Sequence, residues 1–312
     1  MTAPTQTPTA HWPRLSSRGR ELDPAPTSLG QLRDSTDVLG DPVALRERMI
    51  EDGYLFLPGF FDPAAVAGAR RSVTDRLHEE GFTDPAFPAD LAVAPADSNL
   101  TFKPDLAHDN PALHQLLYGQ QLLGFYESLL GGPVRHYDFT WMRAVAPGRG
   151  TAPHGDVVFM GRGTHDVCTA WVPLGDADFE QGGLMVLEGS HRRAEIRDDY
   201  ALRDVDTYCT NEDRAADSGA DGEQPRWNGS LSDDPVEVRE RLGGRWLTTQ
   251  FRAGDLLTFS IYLVHASLDN RSNRIRLSSD SRYQLASEPV DERWIGEAPV
   301  GHGPEAKRGL IC

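Results

Sequence analysis

Three short stretches of the chain hold side chains whose type and spacing can do chemistry. The first is His154-Gly155-Asp156. In an extended backbone residues i and i+2 project to one face, so the imidazole and the carboxylate can converge on one point. The glycine between them lets the chain turn sharply. One more histidine would complete a face of two histidines and one carboxylate. That donor set suits non-haem Fe(II) and leaves coordination positions open for substrates. Taken alone, the triplet is equally a surface turn. The second stretch is the apolar run LLTFSIYLV, which ends at His265. A histidine closing such a strand lies at the rim of a barrel; read by itself, it is a hydrogen-bonded core histidine. The third stretch runs from Arg274 to Tyr283. Arg274, Arg276, Ser278, Asp280 and Arg282 alternate with Ile275, Leu277 and Tyr283. An arginine-bearing face beside a barrel interior requires an anion, and the guanidinium fork matches a carboxylate. The plain alternative is an exposed edge strand with its arginines in water.

Positioning these groups requires strands, and the chain provides them in its second half. VRHYDFTWMRAV (134–145) is aromatic and β-branched, and further strands are expected at 157–160, 167–174, 184–187, 246–251, 255–264 and 274–283. Gly-Gly and Pro-Gly pairs separate them, and 30 glycines and 22 prolines favour many turns over long helices. The first half reads as helical. Asp41 caps a helix over 42–52 that Gly53 ends, and Asp62 caps one from Pro63 to about Glu80. Two shorter helices fall at 111–118 and 120–130. Helices followed by a series of short strands predict a helix-buttressed antiparallel sandwich or barrel. Residues 1–38, rich in Thr, Pro and Ser, are expected to form a loose tail. The domain proper covers 39–290, with an acidic insertion at 195–240. Residues 291–312 form a C-terminal arm that packs on the domain or on a second copy, which leaves a homo-oligomer open.

The formal charge of −16 argues against a nucleic-acid backbone as partner. No run reaches the ~18 apolar residues of a membrane span, and the first residues lack a secretory pattern. Three widely spaced cysteines, Cys168, Cys209 and Cys312, are no disulfide framework, so a cytoplasmic location is expected.

At this point the sequence resembles the phytanoyl-CoA dioxygenase family of Fe(II)/2-oxoglutarate-dependent oxygenases. The resemblance runs from about Asp52 to Tyr283. It rests on DGYLFLPGFFDP, HGD, AWVPLGD, GGLMVLEGSHR, AGDLLTFSIYLVHAS and NRSNRIR in that order. It implies a mainly β fold, a double-stranded β-helix (jelly roll, cupin-like) with N-terminal buttressing helices. It implies that His154, Asp156 and His265 hold iron and that Arg276, rather than its neighbour Arg274, takes the distal carboxylate of 2-oxoglutarate. Ser267, Trp171, Lys103 and Met142 match positions near the cosubstrate. The implied reaction hydroxylates a small molecule while 2-oxoglutarate and O2 become succinate and CO2. Desaturation, epimerisation or ring formation by the same cofactors is the alternative, and a non-catalytic metal-binding module a further one. The retained carboxylate at Asp156 disfavours halogenation. The net charge weighs against a CoA thioester and for a neutral or cationic substrate. Among other residues, His191 reads as structural and His165 as a residue at the site mouth. His136, Asp138, Thr140 and Met142 form a strand face that either lines the cavity or packs in the core.

Overall fold

The computed structural model describes residues 12–209 and 227–310. In chain order the elements are β1 (Ser16–Ser17), β2 (Arg20–Glu21), β3 (Leu29–Gln31), α1 (Pro42–Asp52), β4 (Tyr54–Leu57), α2 (Pro63–Glu79), α3 (Pro111–Tyr118), α4 (Gln120–Leu130), β5 (Val134–His136) and β6 (Trp141–Val145). They continue with α5 (Val157–Met160), β7 (Cys168–Pro173), β8 (Leu184–Leu187), β9 (Thr207–Cys209), α6 (Pro235–Leu242), β10 (Trp246–Thr248), β11 (Leu256–Ser260), β12 (His265–Ser267), β13 (Arg276–Leu285) and β14 (Arg308–Leu310).

The helices start and stop where local chemistry dictates. The Asp41 carboxylate accepts from the amides of Val43 and Ala44, Pro42 opens α1, and Gly53 ends it in the left-handed region at φ 79°. Asp62 and Asn110 cap α2 and α3 in the same way.

Two sheets face each other in a jelly roll. One has six strands in the order β4-β11-β7-β13-β5, with β6 also on β13; the other has four, β12-β8-β10-β3. Alternation along each strand divides the core into layers. Cys168, Ala170 and Val172 of β7 and Leu277 and Tyr283 of β13 pack outward against Val66, Val73, Leu117 and Tyr126 of the helices. Trp171, Leu184, Val186, Leu257 and Phe259 point between the sheets.

Four expectations need correction. Residues 157–160 form a helical turn: Asp156 already has helical φ/ψ, and its carbonyl accepts from the amides of Phe159 and Met160. The stretch 134–145 is two strands, β5 and β6, broken at 137–140. His265 does not end the LLTFSIYLV strand; it opens β12 in the other sheet, after a turn at 261–264. Residues 12–38 are not a loose tail. β3 pairs parallel to β10, and Leu15, Leu22 and Leu29 pack with Trp246, Met185 and Leu187 on the outer face of the four-stranded sheet. The first eleven residues of that expected tail and the acidic stretch 210–226 lie outside the described residues. The rest of the 195–240 insertion is ordered. It includes β9, which pairs parallel to β14 of the C-terminal arm, and α6.

Candidate metal and cosubstrate site

His154, Asp156 and His265 meet at one end of the space between the sheets, with one ligand atom of each within 4.8 Å of the others. The backbone sets this up. His154 and His265 bridge as antiparallel partners, each amide donating to the other's carbonyl at 3.0 and 2.9 Å. Gly155 is needed for space rather than for a special dihedral. A Cβ there would lie 3.3 Å from the Tyr200 ring and 3.4 Å from the Ile261 carbonyl.

The donor atoms suit a metal. His154 Nδ1 bonds the Ala152 carbonyl at 2.8 Å and His265 Nδ1 the Leu263 carbonyl at 3.0 Å. Those bonds place the proton on Nδ1 and leave each Nε2 lone pair free. The two Nε2 atoms lie 3.9 and 3.8 Å from Asp156 Oδ1. Burial, reinforced by His265, pushes the His154 imidazole down to about 3, so it is neutral as a ligand must be. Burial alone would raise the Asp156 carboxyl. Arg282 above all, then the two imidazoles and Thr169, hold it below the usual carboxylate range.

Two cavities adjoin the triad. The inner one, a tight recess of about 20 Å³, is lined by Arg276, Trp171, Thr169, Leu184, Phe259 and Asp280 beside the two histidines. Arg276 is 3% exposed, and its one side-chain hydrogen bond is to Ser278 Oγ at 3.1 Å. Its Nε is buried without a partner. Burial draws its pKa down to about 10, although Asp280 pulls the other way. A buried cation with an unspent donor in a cavity is a receptor for an anion. The outer cavity, about 260 Å³, is lined by Phe102, Trp141, Phe159, Met160, Asn228, Ser230 and His302. Arg143, Thr151, His154 and Arg282 line both.

The structure sorts the sequence candidates. Trp171 lines the inner cavity, with Arg276 6.0 Å from its ring centre. Arg274 is exposed at the end of β13 and lines neither cavity. Ser267 is buried beside the site, and its hydroxyl accepts from the Thr151 amide at 2.8 Å. Lys103 points elsewhere: its ammonium pairs with Glu80 at 2.9 Å and Asp105 at 3.7 Å, which satisfy its charge on the helical side. Met142 also turns away. Strand alternation places Trp141 and Arg143 on the cavity face and Met142 with Ala144 against the helices. His165 has both ring nitrogens engaged, by Tyr262 Oη at 2.5 Å and the Gly161 carbonyl at 3.0 Å.

The phytanoyl-CoA dioxygenase (PhyH) family model matches residues 49–278. The chain belongs to that family. Among relatives of this PhyH member, the 1-deoxypentalenic acid 11-beta-hydroxylase of Streptomyces exfoliatus is 28% identical over 270 residues, covering 83% of this chain and 87% of the relative. The protein of the same name from Streptomyces arenae is 26% identical over 273 residues, covering 81% and 85%. Among solved structures, EctD from S. alaskensis superposes with a TM-score of 0.57 at 20% identity, over 95% of this chain and 96% of that one. The epimerase SnoN, crystallised with Fe3+, alpha ketoglutarate and nogalamycin RO, superposes at 0.53 and 22% identity, over 80% and 87%. These likenesses establish the jelly-roll fold of this PhyH enzyme.

Several residues of the site were not assigned from sequence. Arg282 and Asp280 lie on the face expected for β13, and Thr169 sits two residues before Trp171 on the same face of β7, so alternation from Arg276 and Trp171 reaches them. Arg143 betrays itself as a lone charge inside an apolar strand. Asn228, Ser230 and His302 come from the insertion and the arm, and no local pattern marks them.

Proposed function

We propose that this chain hydroxylates a largely apolar small molecule in the outer cavity, with iron held by His154, Asp156 and His265, 2-oxoglutarate anchored by Arg276 in the inner cavity, and O2 as oxidant. The observation that carries the reading is the placement of the triad between two cavities, one ending in a buried cation and the other lined by aromatic rings. When bound, iron and 2-oxoglutarate supply the oxidising power that breaks a C–H bond, with succinate and CO2 as coproducts. The protein's share is geometric. The triad occupies one face of the metal, Arg276 fixes the far end of the dicarboxylate, and Trp171 and Phe259 exclude water around it. Phe102, Trp141 and Phe159 hold the substrate body, and Asn228 and Ser230 offer it polar contacts.

The two arginines of the outer cavity are each matched by an acid. Arg143 pairs with Asp280 at 2.9 Å and Arg282 with Asp156 at 2.9 Å, and the His302 ring bonds Asp206 at 2.8 Å. That balance suits an uncharged or weakly charged substrate. No described helix is long and apolar enough to cross a membrane. A cytoplasmic location fits the buried free thiol of Cys168.

The test is succinate formation from 2-oxoglutarate with Fe(II), using 1-deoxypentalenic acid as the first probe substrate and Asp156→Ala as the control. Wild type should form succinate in an iron-dependent way and the variant should not. Equal turnover in the two proteins sinks the reading. Product mass then separates hydroxylation, which adds one oxygen, from desaturation, which removes two hydrogens.

A further inference from the structure

The carboxylate of the triad is gripped through one oxygen only. Asp156 Oδ2 accepts from Arg282 Nη2 at 2.9 Å and from Thr169 Oγ1 at 2.6 Å. Oδ1 has neither donor, and it is the oxygen that faces the two histidine Nε2 atoms. Arg282 is itself fixed. It is 2% exposed, its Nε points at Met160 Sδ at 3.2 Å, and its guanidinium lies 4.2 Å from the Trp141 ring centre. Thr169 and Arg282 are direct partners across β7 and β13, so one register of the sheet sets both donors.

A freely turning carboxylate can offer a cation both oxygens. One whose Oδ2 is occupied by two donors offers only Oδ1. We infer that Arg282 and Thr169 are positioning residues that restrict Asp156 to one-oxygen ligation and so keep open a metal position that a chelating 2-oxo acid needs. The inference rests on the proposed triad. It makes the two ligands respond in opposite senses. Removing Arg282 takes a positive charge from beside the metal, which does not weaken bare metal binding. It also frees Oδ2 to compete for the position of the chelator. Loss of fold would weaken both together.

The test titrates metal-free protein with Mn(II) or Co(II) by calorimetry, and then the metal-loaded protein with 2-oxoglutarate and with oxalate. Oxalate chelates a metal but has no distal carboxylate for Arg276. In Arg282→Met the metal should bind as well as to wild type or better. Oxalate and 2-oxoglutarate should both weaken by a common factor, roughly ten- to a hundredfold. Thr169→Val, which keeps the side-chain volume, should move both in the same direction by less, and it decides the matter if Arg282→Met fails to fold. Arg276→Met should weaken 2-oxoglutarate and spare oxalate. Unchanged oxalate binding in the Arg282 and Thr169 variants overturns the inference, and so does a joint loss of metal and oxalate in a folded variant. If wild type takes up no metal, the proposed function falls and this inference with it.

Discussion

Replacing Arg276 by Met should cost the protein its grip on 2-oxoglutarate, and replacing Arg274 should not. Two charge-assisted hydrogen bonds to a carboxylate in a buried site are worth about 1.5–3 kcal/mol each. Some of that is spent on keeping the guanidinium charged where burial has already drawn its pKa to about 10. A net loss of about 3 kcal/mol corresponds to roughly a hundredfold in Kd. Arg274 is exposed, and a solvated pair contributes about 0–1 kcal/mol, less than about fivefold. The assay is calorimetric titration of the metal-loaded protein with 2-oxoglutarate. Thermal melting without cosubstrate gives a second reading. Arg276→Met removes a buried charge that has no carboxylate partner, so it should melt no lower than wild type, whereas wild type alone should gain stability on adding 2-oxoglutarate. Equal losses at the two arginines, or a loss under about threefold at Arg276, would refute the assignment of the inner cavity.

Met142 is fully buried against the helices, so Met142→Ala should lower stability by about 2–5 kcal/mol in urea unfolding and leave 2-oxoglutarate affinity unchanged. Lys103→Met should change 2-oxoglutarate affinity less than about twofold, because its ammonium is committed to Glu80. Burial would raise the Asp206 carboxyl, but Lys307, His302 and Arg293 hold it down to about 2. The folded value lies below the ordinary 3.8, so the stability it contributes, about 1–2 kcal/mol, is complete above about pH 4 and is lost as pH falls toward 2. Urea unfolding across that range should show a loss in wild type that is larger than in Asp206→Asn by that amount.

The chemistry was easier to read from the chain than the geometry that serves it. His154, Asp156 and His265 are legible through the family resemblance, which joins a His-x-Asp triplet to a distant histidine, neither of which is marked as a ligand by itself. The i, i+2 projection holds only in part, since Asp156 has helical φ/ψ and starts a short turn instead of continuing a strand. Alternation puts Arg274, Arg276 and Arg282 on one face, and the family resemblance picks Arg276 from among them; the same alternation holds across Ser278, Asp280 and Arg282. The sequence leaves the face of 134–145 open between cavity and core, because the break at 137–140 leaves β6 to be phased on its own and a single apolar Met cannot decide which side is core. Lys103 was assigned by position, and position says nothing about where a long flexible side chain finds its counter-charge. Asn228, Ser230 and His302 reach the cavity through tertiary packing alone.

The parallel ribbon of β9 and β14 sets a timetable. About a hundred residues separate its two strands, so a vectorially synthesised chain can complete both sheets and the triad before the ribbon can form. His302, which lines the mouth, and Lys307, which ties the arm to Asp206, emerge after every residue of the triad. The outer cavity gains the His302 part of its wall only when that segment docks, so the arm and the 195–240 insertion close that side of the cavity together.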